Sequence, residues 1–66
     1  MTPKYNIDVQ LSGQDGNIFN LVSIVSNAIK REGATKQERD ELLKEVTSSG
    51  SYDEALRVLM GWVNVQ

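Results

Sequence analysis

The 66-residue sequence contains neither cysteine nor histidine. Without these residues the chain cannot form disulfides, thiol nucleophiles, Ser-His or Cys-His dyads, or zinc sites of the usual nitrogen and sulfur type. The chemistry that remains is that of paired carboxylates, oxygen-ligand sites for Mg²⁺ or Ca²⁺, and anion binding by backbone N–H groups at helix N-termini. We therefore expect a protein that is not an enzyme and that has no catalytic residues, no metal and no cofactor.

Positive charge and long apolar runs are also scarce. The 7 Lys and Arg residues stand against 9 Asp and Glu residues, which gives a formal net charge of -2. Nucleic acid is an unexpected partner, because non-specific binding to it requires a positive field. No apolar run approaches the roughly 20 residues that span a bilayer, and the first ten residues lack an apolar stretch of signal-peptide type. We expect a cytoplasmic protein that does not contact a membrane.

Apolar patterning predicts a strand at each end of the chain. Apolar residues make up 39% of the sequence, enough for one small core, so we expect residues 1–66 to form a single domain. Residues 5–11 alternate between apolar and polar side chains, which indicates a half-buried strand. After Gly61, Val63 and Val65 alternate with Asn64, which indicates a closing strand over residues 62–66.

The residues between these strands follow helical spacing. A first amphipathic helix is predicted from Ile18, capped by Asn17 or Asp15 and ended by Gly33. Its apolar stripe consists of Ile18, Leu21, Val22, Val25 and Ile29, widened by Phe19, Ile24 and Ala28.

Two capping-box patterns mark the starts of two further helices. Thr35 with Glu38 opens a helix over residues 36–47, and Ser51 with Glu54 opens a third helix. The side chains that we expect these helices to bury are Leu42, Leu43, Val46, Tyr52, Ala55, Leu56, Leu59 and Met60.

The predicted fold is therefore α+β, in the order β-α-α-α-β. Three helices pack on a small two-stranded sheet that the N- and C-terminal strands form. Parallel pairing is the expected geometry, with antiparallel pairing as the alternative. A two-stranded sheet leaves exposed edges that invite pairing with another copy, so we expect a homodimer.

Residues 12–17, here named the SGQDGN turn, form the candidate binding site. A glycine-rich turn that leads into a helix N-terminus points free N–H groups outward and favours a phosphate or carboxylate. The alternative is a plain capped turn, in which Asp15 or Asn17 occupies the helix end. The turn lacks the lysine and spacing of a P-loop and the carboxylates of a calcium loop. The candidate ligand-binding residues are Ser12, Gly13, Gln14, Asp15, Gly16, Asn17 and Tyr52.

Tyr52 and Trp62 are the aromatic residues with a possible role in binding. Large amphipathic rings near an element boundary can stack on a base or anchor a partner. Core packing is the expected role of both, and Trp62 should supply a large share of the buried area.

Three stretches, SGQDGNIF, SSGSYDEAL and WVNV, follow a longer pattern. On these motifs the chain resembles a group of small uncharacterised proteins of bacteria and their phages, with an SGxDGNxF turn and an SGxYDxxL segment. The resemblance covers residues 9–65 and implies the same architecture and a bacterial or phage origin. It implies no activity and no catalytic residue. Its most specific positions are Gly13, Asp15, Gly16, Asn17, Phe19, Gly50, Tyr52, Asp53 and Leu56.

The leading hypothesis for function is a small non-enzymatic interaction protein, a phage or prophage accessory factor that binds and modulates a host protein. It requires no preformed enclosed site from so short a chain. The alternative is a homodimeric protein that sequesters an anionic small molecule, such as a nucleotide, at the SGQDGN turn. An enzyme ranks below both, because caps, surface charges and packing explain the carboxylates and tyrosine hydroxyls more simply. Specific DNA binding also ranks below both, because the carboxylates of Asp53 and Glu54 open the third helix and repel phosphates.

Overall fold

The computed structural model describes residues 2–66 and has the α+β fold that the sequence predicts. Met1, which the single-domain prediction for residues 1–66 includes, lies outside the described residues. Along the described chain the elements are β1 (Asp8–Val9), α1 (Ile18–Arg31), α2 (Lys36–Thr47), α3 (Tyr52–Trp62) and β2 (Asn64–Val65). The order β-α-α-α-β is confirmed.

The two strands pair in parallel, with Asp8 opposite Asn64 and Val9 opposite Val65. Parallel pairing, the expected geometry, is therefore confirmed. It follows from the helices, which return the chain to the end of the molecule at which β1 begins. The alternation along β1 also holds, since Val9 is buried and Asp8 is exposed.

The regular part of the first strand is shorter than the predicted span of residues 5–11. Hydrogen bonds to the C-terminal segment nevertheless continue on both sides of it. The Tyr5 N–H donates to the Trp62 carbonyl at 2.9 Å, and the Leu11 N–H donates to the Gln66 carbonyl at 2.8 Å. The regular second strand is short because α3 includes Trp62, the first residue of the predicted closing strand.

Trp62 belongs to α3, and the prediction that it begins the closing strand is wrong. The helix continues through Gly61, and Ala55, Leu59 and Trp62 recur on one buried face. Burial of a large apolar side chain contributes about 1.5–3 kcal/mol, whereas a glycine inside a helix costs about 1 kcal/mol. Helical geometry is therefore favoured, because it places the Trp62 ring in the core, where only 2% of the residue is exposed.

The core lies between the helices and the inner face of the sheet. All three helices and the segment before β2 contribute to it, as the burial pattern along α1 predicts. The largest side chains that are almost completely buried are Trp62, Ile29, Leu42, Leu59, Val25 and Val63.

Four large apolar side chains that we expected to be buried are exposed instead. The exposed fractions are 63% for Phe19, 43% for Leu43, 48% for Tyr52 and 55% for Met60. Residues three or four positions apart lie on the same side of a helix. Phe19 therefore shares a flank of α1 with Ser23 and Ser26, and this flank is not the core stripe.

The helix ends agree closely with the capping patterns. Thr35 and Glu38 form a complete capping box, with the Glu38 N–H donating to Thr35 Oγ1 at 3.1 Å. At α3 the box is only half formed. Ser51 Oγ accepts from the Glu54 N–H at 3.2 Å, but the Glu54 carboxylate accepts from the Gly50 N–H at 2.8 Å. α1 ends before Gly33, whose φ of 94° lies in the left-handed region that glycine favours.

Candidate functional site

The polar groups of the SGQDGN turn bind mainly to one another. Asn17 is the N-cap of α1, and its Oδ1 accepts from the Phe19 N–H at 2.9 Å. Asp15 Oδ1 accepts from the Asn17 N–H at 3.1 Å, and Asn20 Nδ2 donates to the Asp15 carbonyl at 3.0 Å. The N–H groups of Asn17 and Phe19 therefore already have side-chain acceptors, as in the capped-turn alternative.

The first half of the turn is also paired within the chain. The Ser12 N–H donates to the Gln66 carbonyl at 3.1 Å, and the Gln14 N–H donates to the Leu11 carbonyl at 3.2 Å. Gly13 has a φ of 81°, the left-handed conformation that the sequence allows at either glycine of the turn. All six residues of the turn are exposed, so they remain accessible to a partner through their side chains.

Tyr52 reaches the SGQDGN turn from the start of α3. Its Oη donates to the Gly16 carbonyl at 2.6 Å, although the two residues lie 36 positions apart. Two predicted site residues are thus brought together, and the expectation that Tyr52 packs in the core is wrong. A shallow pocket of about 300 Å³ lies beside the Tyr52 ring. Its lining residues carry no charge and are Ile18, Val46, Ser49, Gly50, Ser51, Tyr52 and Ala55.

A second concave surface, here named the α1–α2 groove, was not anticipated from the sequence. It has a volume of about 310 Å³ and runs between two turns of each helix. On α1 the lining extends eight positions, from Phe19 to Asn27, which corresponds to a groove length of about 12 Å. The groove is lined by Phe19, Val22, Ser23, Ser26 and Asn27 of α1 and by Lys36, Arg39, Asp40 and Leu43 of α2.

The α1–α2 groove has an apolar end and a polar end. Residues 32–35 join the end of α1 to the start of α2, so the early part of α1 lies beside the late part of α2. Phe19 and Leu43, both exposed, therefore form one end, and Asn27 and Lys36 form the other. A surface with this division is complementary to a ligand that is itself amphipathic.

Arg39 lies along the wall of the groove with an unsatisfied donor. Its side chain is half-buried, and Nε is shielded from solvent without a hydrogen-bond partner within residues 2–66. With Lys36 and Arg39 against Asp40, the groove lining has two cations and one anion, a net charge of +1. The whole chain has a net charge of -2, so the groove is a local exception to the acidic surface.

The N-terminal segment makes a different kind of cluster against Trp62. The Tyr5 ring stacks on the Trp62 ring at a centroid distance of 6.5 Å, and Lys4 Nζ lies 4.0 Å from the Trp62 ring centroid. Tyr5 Oη donates to Glu38 Oε2 at 2.5 Å. This hydrogen bond raises the pKa of Tyr5 and lowers the pKa of Glu38, and the Thr35 N–H lowers the Glu38 pKa further. No sequence signal indicated a bond between residues 33 positions apart.

Two further properties bear on the class of site. Within residues 2–66, no three acidic side chains gather closely enough to hold a metal ion. In the same part of the chain, no helix combines the length and the apolar content that crossing a membrane would need.

The geometry defines a small α+β protein with a turn that caps α1 and an amphipathic groove between α1 and α2. Comparison with protein families, with curated proteins and with solved structures found no match to this chain. The resemblance to small bacterial and phage proteins therefore stays a prediction, and a functional assignment must come from the residues themselves.

Proposed function

We propose that this protein is a small non-enzymatic interaction protein, a phage or prophage accessory factor that binds a host protein and modulates it. The α1–α2 groove is its docking surface. The observation that carries the proposal is the exposure of Phe19, at 63%, while the other apolar side chains of α1 are buried or half-buried. Leu43 extends the same apolar end from α2.

An exposed aromatic beside a groove matches the energetics of protein recognition. Single exposed apolar residues are common on protein surfaces, but aromatic anchors that fill a partner's pocket contribute most of the energy at many interfaces. Covering a side chain of this size contributes about 1.5–3 kcal/mol, and each 1.4 kcal/mol is about tenfold in affinity. Phe19 can therefore contribute a large share of the affinity for a partner.

Affinity capture from a lysate of the source cells tests this proposal. The tagged chain is compared with Phe19→Ser and with Met60→Ser as the matched control. Met60 is 55% exposed on α3 and lies outside the groove, so the control also removes an exposed apolar side chain. We expect a protein retained by the wild type and by Met60→Ser to be lost with Phe19→Ser. Capture that survives Phe19→Ser, or a wild type that retains no protein, would contradict the proposal.

One contact favours a second candidate, a homodimeric protein that sequesters an anionic small molecule such as a nucleotide at the SGQDGN turn. The hydrogen bond from Tyr52 to Gly16 holds an aromatic ring beside the turn and beside the pocket of about 300 Å³. This candidate ranks second because the N–H groups of Asn17 and Phe19 already have acceptors and because the lining of the pocket carries no charge.

Native mass spectrometry of the protein purified gently from its source cells tests the second candidate. A dimer with added mass supports it, and a species without added mass opposes it. Gly16→Asp is the matched variant, because a Cβ at this position would lie an ordinary 3.6 Å from Tyr52 Oη, so the change acts through its charge. Loss of the added mass in Gly16→Asp is expected, and unchanged binding would exclude the turn as the site.

A further inference from the structure

We infer that the α1–α2 groove recognises a carboxylate-bearing peptide segment, in which an Asp or Glu side chain lies near a large apolar side chain of the partner. This inference deepens the proposed function and rests on it. The apolar side chain of the segment covers Phe19 and Leu43, and its carboxylate accepts hydrogen bonds from Arg39.

The guanidinium of Arg39, which lines the groove, is the first step toward this ligand. A buried donor without an acceptor is unfavourable, and the imbalance is greater for a charged group. Within residues 2–66 nothing accepts a hydrogen bond from Arg39 Nε. Because Nε is itself shielded, a ligand in the groove meets the terminal nitrogens of the guanidinium, and a planar carboxylate can accept from both of them at once, which a lysine ammonium cannot reproduce.

The charge of the groove indicates how much negative charge it accepts. Lys36 and Arg39 oppose Asp40, so the lining has a net charge of +1 and one carboxylate neutralises it. A polyanion would be repelled both by the Asp40 carboxylate and by the chain as a whole, which has a net charge of -2. The charge balance therefore favours a single carboxylate over nucleic acid.

The apolar end of the groove requires more than an isolated anion. Phe19 and Leu43 present uncovered apolar surface that only an apolar group can bury with gain. The groove length of about 12 Å matches about four residues of an extended peptide at 3.3 Å per residue. A short peptide segment can therefore place an apolar side chain at one end and a carboxylate beside Arg39.

Selection from a displayed library of random 12-residue peptides tests this inference on the intact protein. We expect the wild type to enrich peptides in which Asp or Glu lies within four residues of Leu, Ile, Phe or Met. One enriched peptide is then synthesised with its acid and with the matching amide, and the affinity of each is measured by calorimetry. We expect the amide to bind about tenfold or more weakly.

Two arginine variants identify the recognising side chain. Arg39→Met should weaken the acidic peptide about tenfold or more and should remove the difference between acid and amide. Arg57→Met is the matched control, because Arg57 is exposed on α3 outside the groove, and it should leave both affinities within about twofold. Far-UV circular dichroism of each variant establishes that the helices are retained. Arg39→Lys keeps the charge and should bind the acidic peptide with an affinity between those of Arg39→Met and the wild type.

Several outcomes would overturn the inference. These are enriched peptides without an excess of acids, equal binding of the acidic peptide by Arg39→Met and wild type, or no enriched peptides. Phe19→Ser distinguishes this failure from failure of the proposed function. If peptide binding depends on Phe19 but not on Arg39, docking at the groove stands and carboxylate recognition fails. If it depends on neither, both fail.

Discussion

The end of the molecule around Trp62 and the face around Phe19 each contain a large aromatic ring, but the rings have opposite environments. Trp62 is 2% exposed, with Tyr5 stacked on its ring and Lys4 above it. Phe19 is 63% exposed and lines the α1–α2 groove together with Arg39. The difference separates the groups that hold the fold together from those that remain available to another molecule.

The SGQDGN turn lies between these extremes. Its residues are exposed, as Phe19 is, but the N–H groups of Ser12, Gln14 and Asn17 have acceptors within the chain. Exposure alone therefore does not identify a binding surface. The α1–α2 groove differs from the turn because it combines exposed apolar side chains with a net positive charge.

The largest effect on stability is expected from Trp62→Ala. Removing a buried tryptophan from a packed core costs about 3–5 kcal/mol, a large part of the 5–15 kcal/mol typical of whole proteins. Urea unfolding followed by circular dichroism measures the change. Met60→Ala, on the exposed side of the same helix, should shift the free energy of unfolding by less than about 0.5 kcal/mol. Equal free energies of unfolding for Trp62→Ala and Met60→Ala would contradict the difference between the buried and the exposed side of α3.

A smaller effect is expected from Asn17→Ala, which removes the N-cap of α1. Loss of a capping side chain costs about 1 kcal/mol, because the Phe19 N–H loses its acceptor. Asn27→Ala, at an exposed position of the same helix, is the control and should change stability by less than about 0.5 kcal/mol. If Asn17→Ala leaves stability unchanged while abolishing binding of a small anion, the turn is a ligand site instead of a cap.

The hydrogen bond between Tyr5 and Glu38 should make a pH-dependent contribution. The pKa of Glu38 is lowered from 4.5, so its contribution is present above that value and is lost as pH falls through the folded pKa. The pKa of Tyr5 is raised from 10.0, so its contribution is present below that value and is lost as pH rises through the folded pKa. The stability difference between wild type and Tyr5→Phe should therefore be constant between these values and shrink at both extremes.

Urea unfolding of wild type and Tyr5→Phe over a series of pH values measures this difference. Absorbance titration of the tyrosines gives the Tyr5 pKa independently, with the Tyr52→Phe variant used to assign the signal. A stability difference that stays the same in acid, neutral and alkaline buffer would show that the hydrogen bond does not stabilise the fold.

The parts of the fold that the sequence predicts are those with local physical causes. Thr35 and Glu38 identify the start of α2 because a capping box needs only residues three positions apart. The alternation before Leu11 identifies the first strand for the same reason. The end of α3 was misplaced because the burial of Trp62, a tertiary effect, outweighs the helix-ending tendency of Gly61.

The candidate site was predicted only in part, for a reason that also lies in tertiary structure. Local spacing identified Asn17 as a cap, but only the packed helices show that Tyr52 reaches Gly16. The α1–α2 groove was missed because its two walls come from different helices. One signal was present in the sequence: Phe19 shares its helical flank with Ser23 and Ser26, and an aromatic on a polar flank is typical of an uncovered position.

Photo-crosslinking in the source cells tests most directly whether the α1–α2 groove is the surface that binds a partner. Benzoylphenylalanine is placed at position 19 or, as the control, at position 60, and adducts are separated by mass. We expect an adduct with a second protein from position 19 and none from position 60. Equal adducts from both positions, no adduct from position 19, or an adduct of twice the 7.4 kDa chain mass would contradict a host protein at this groove.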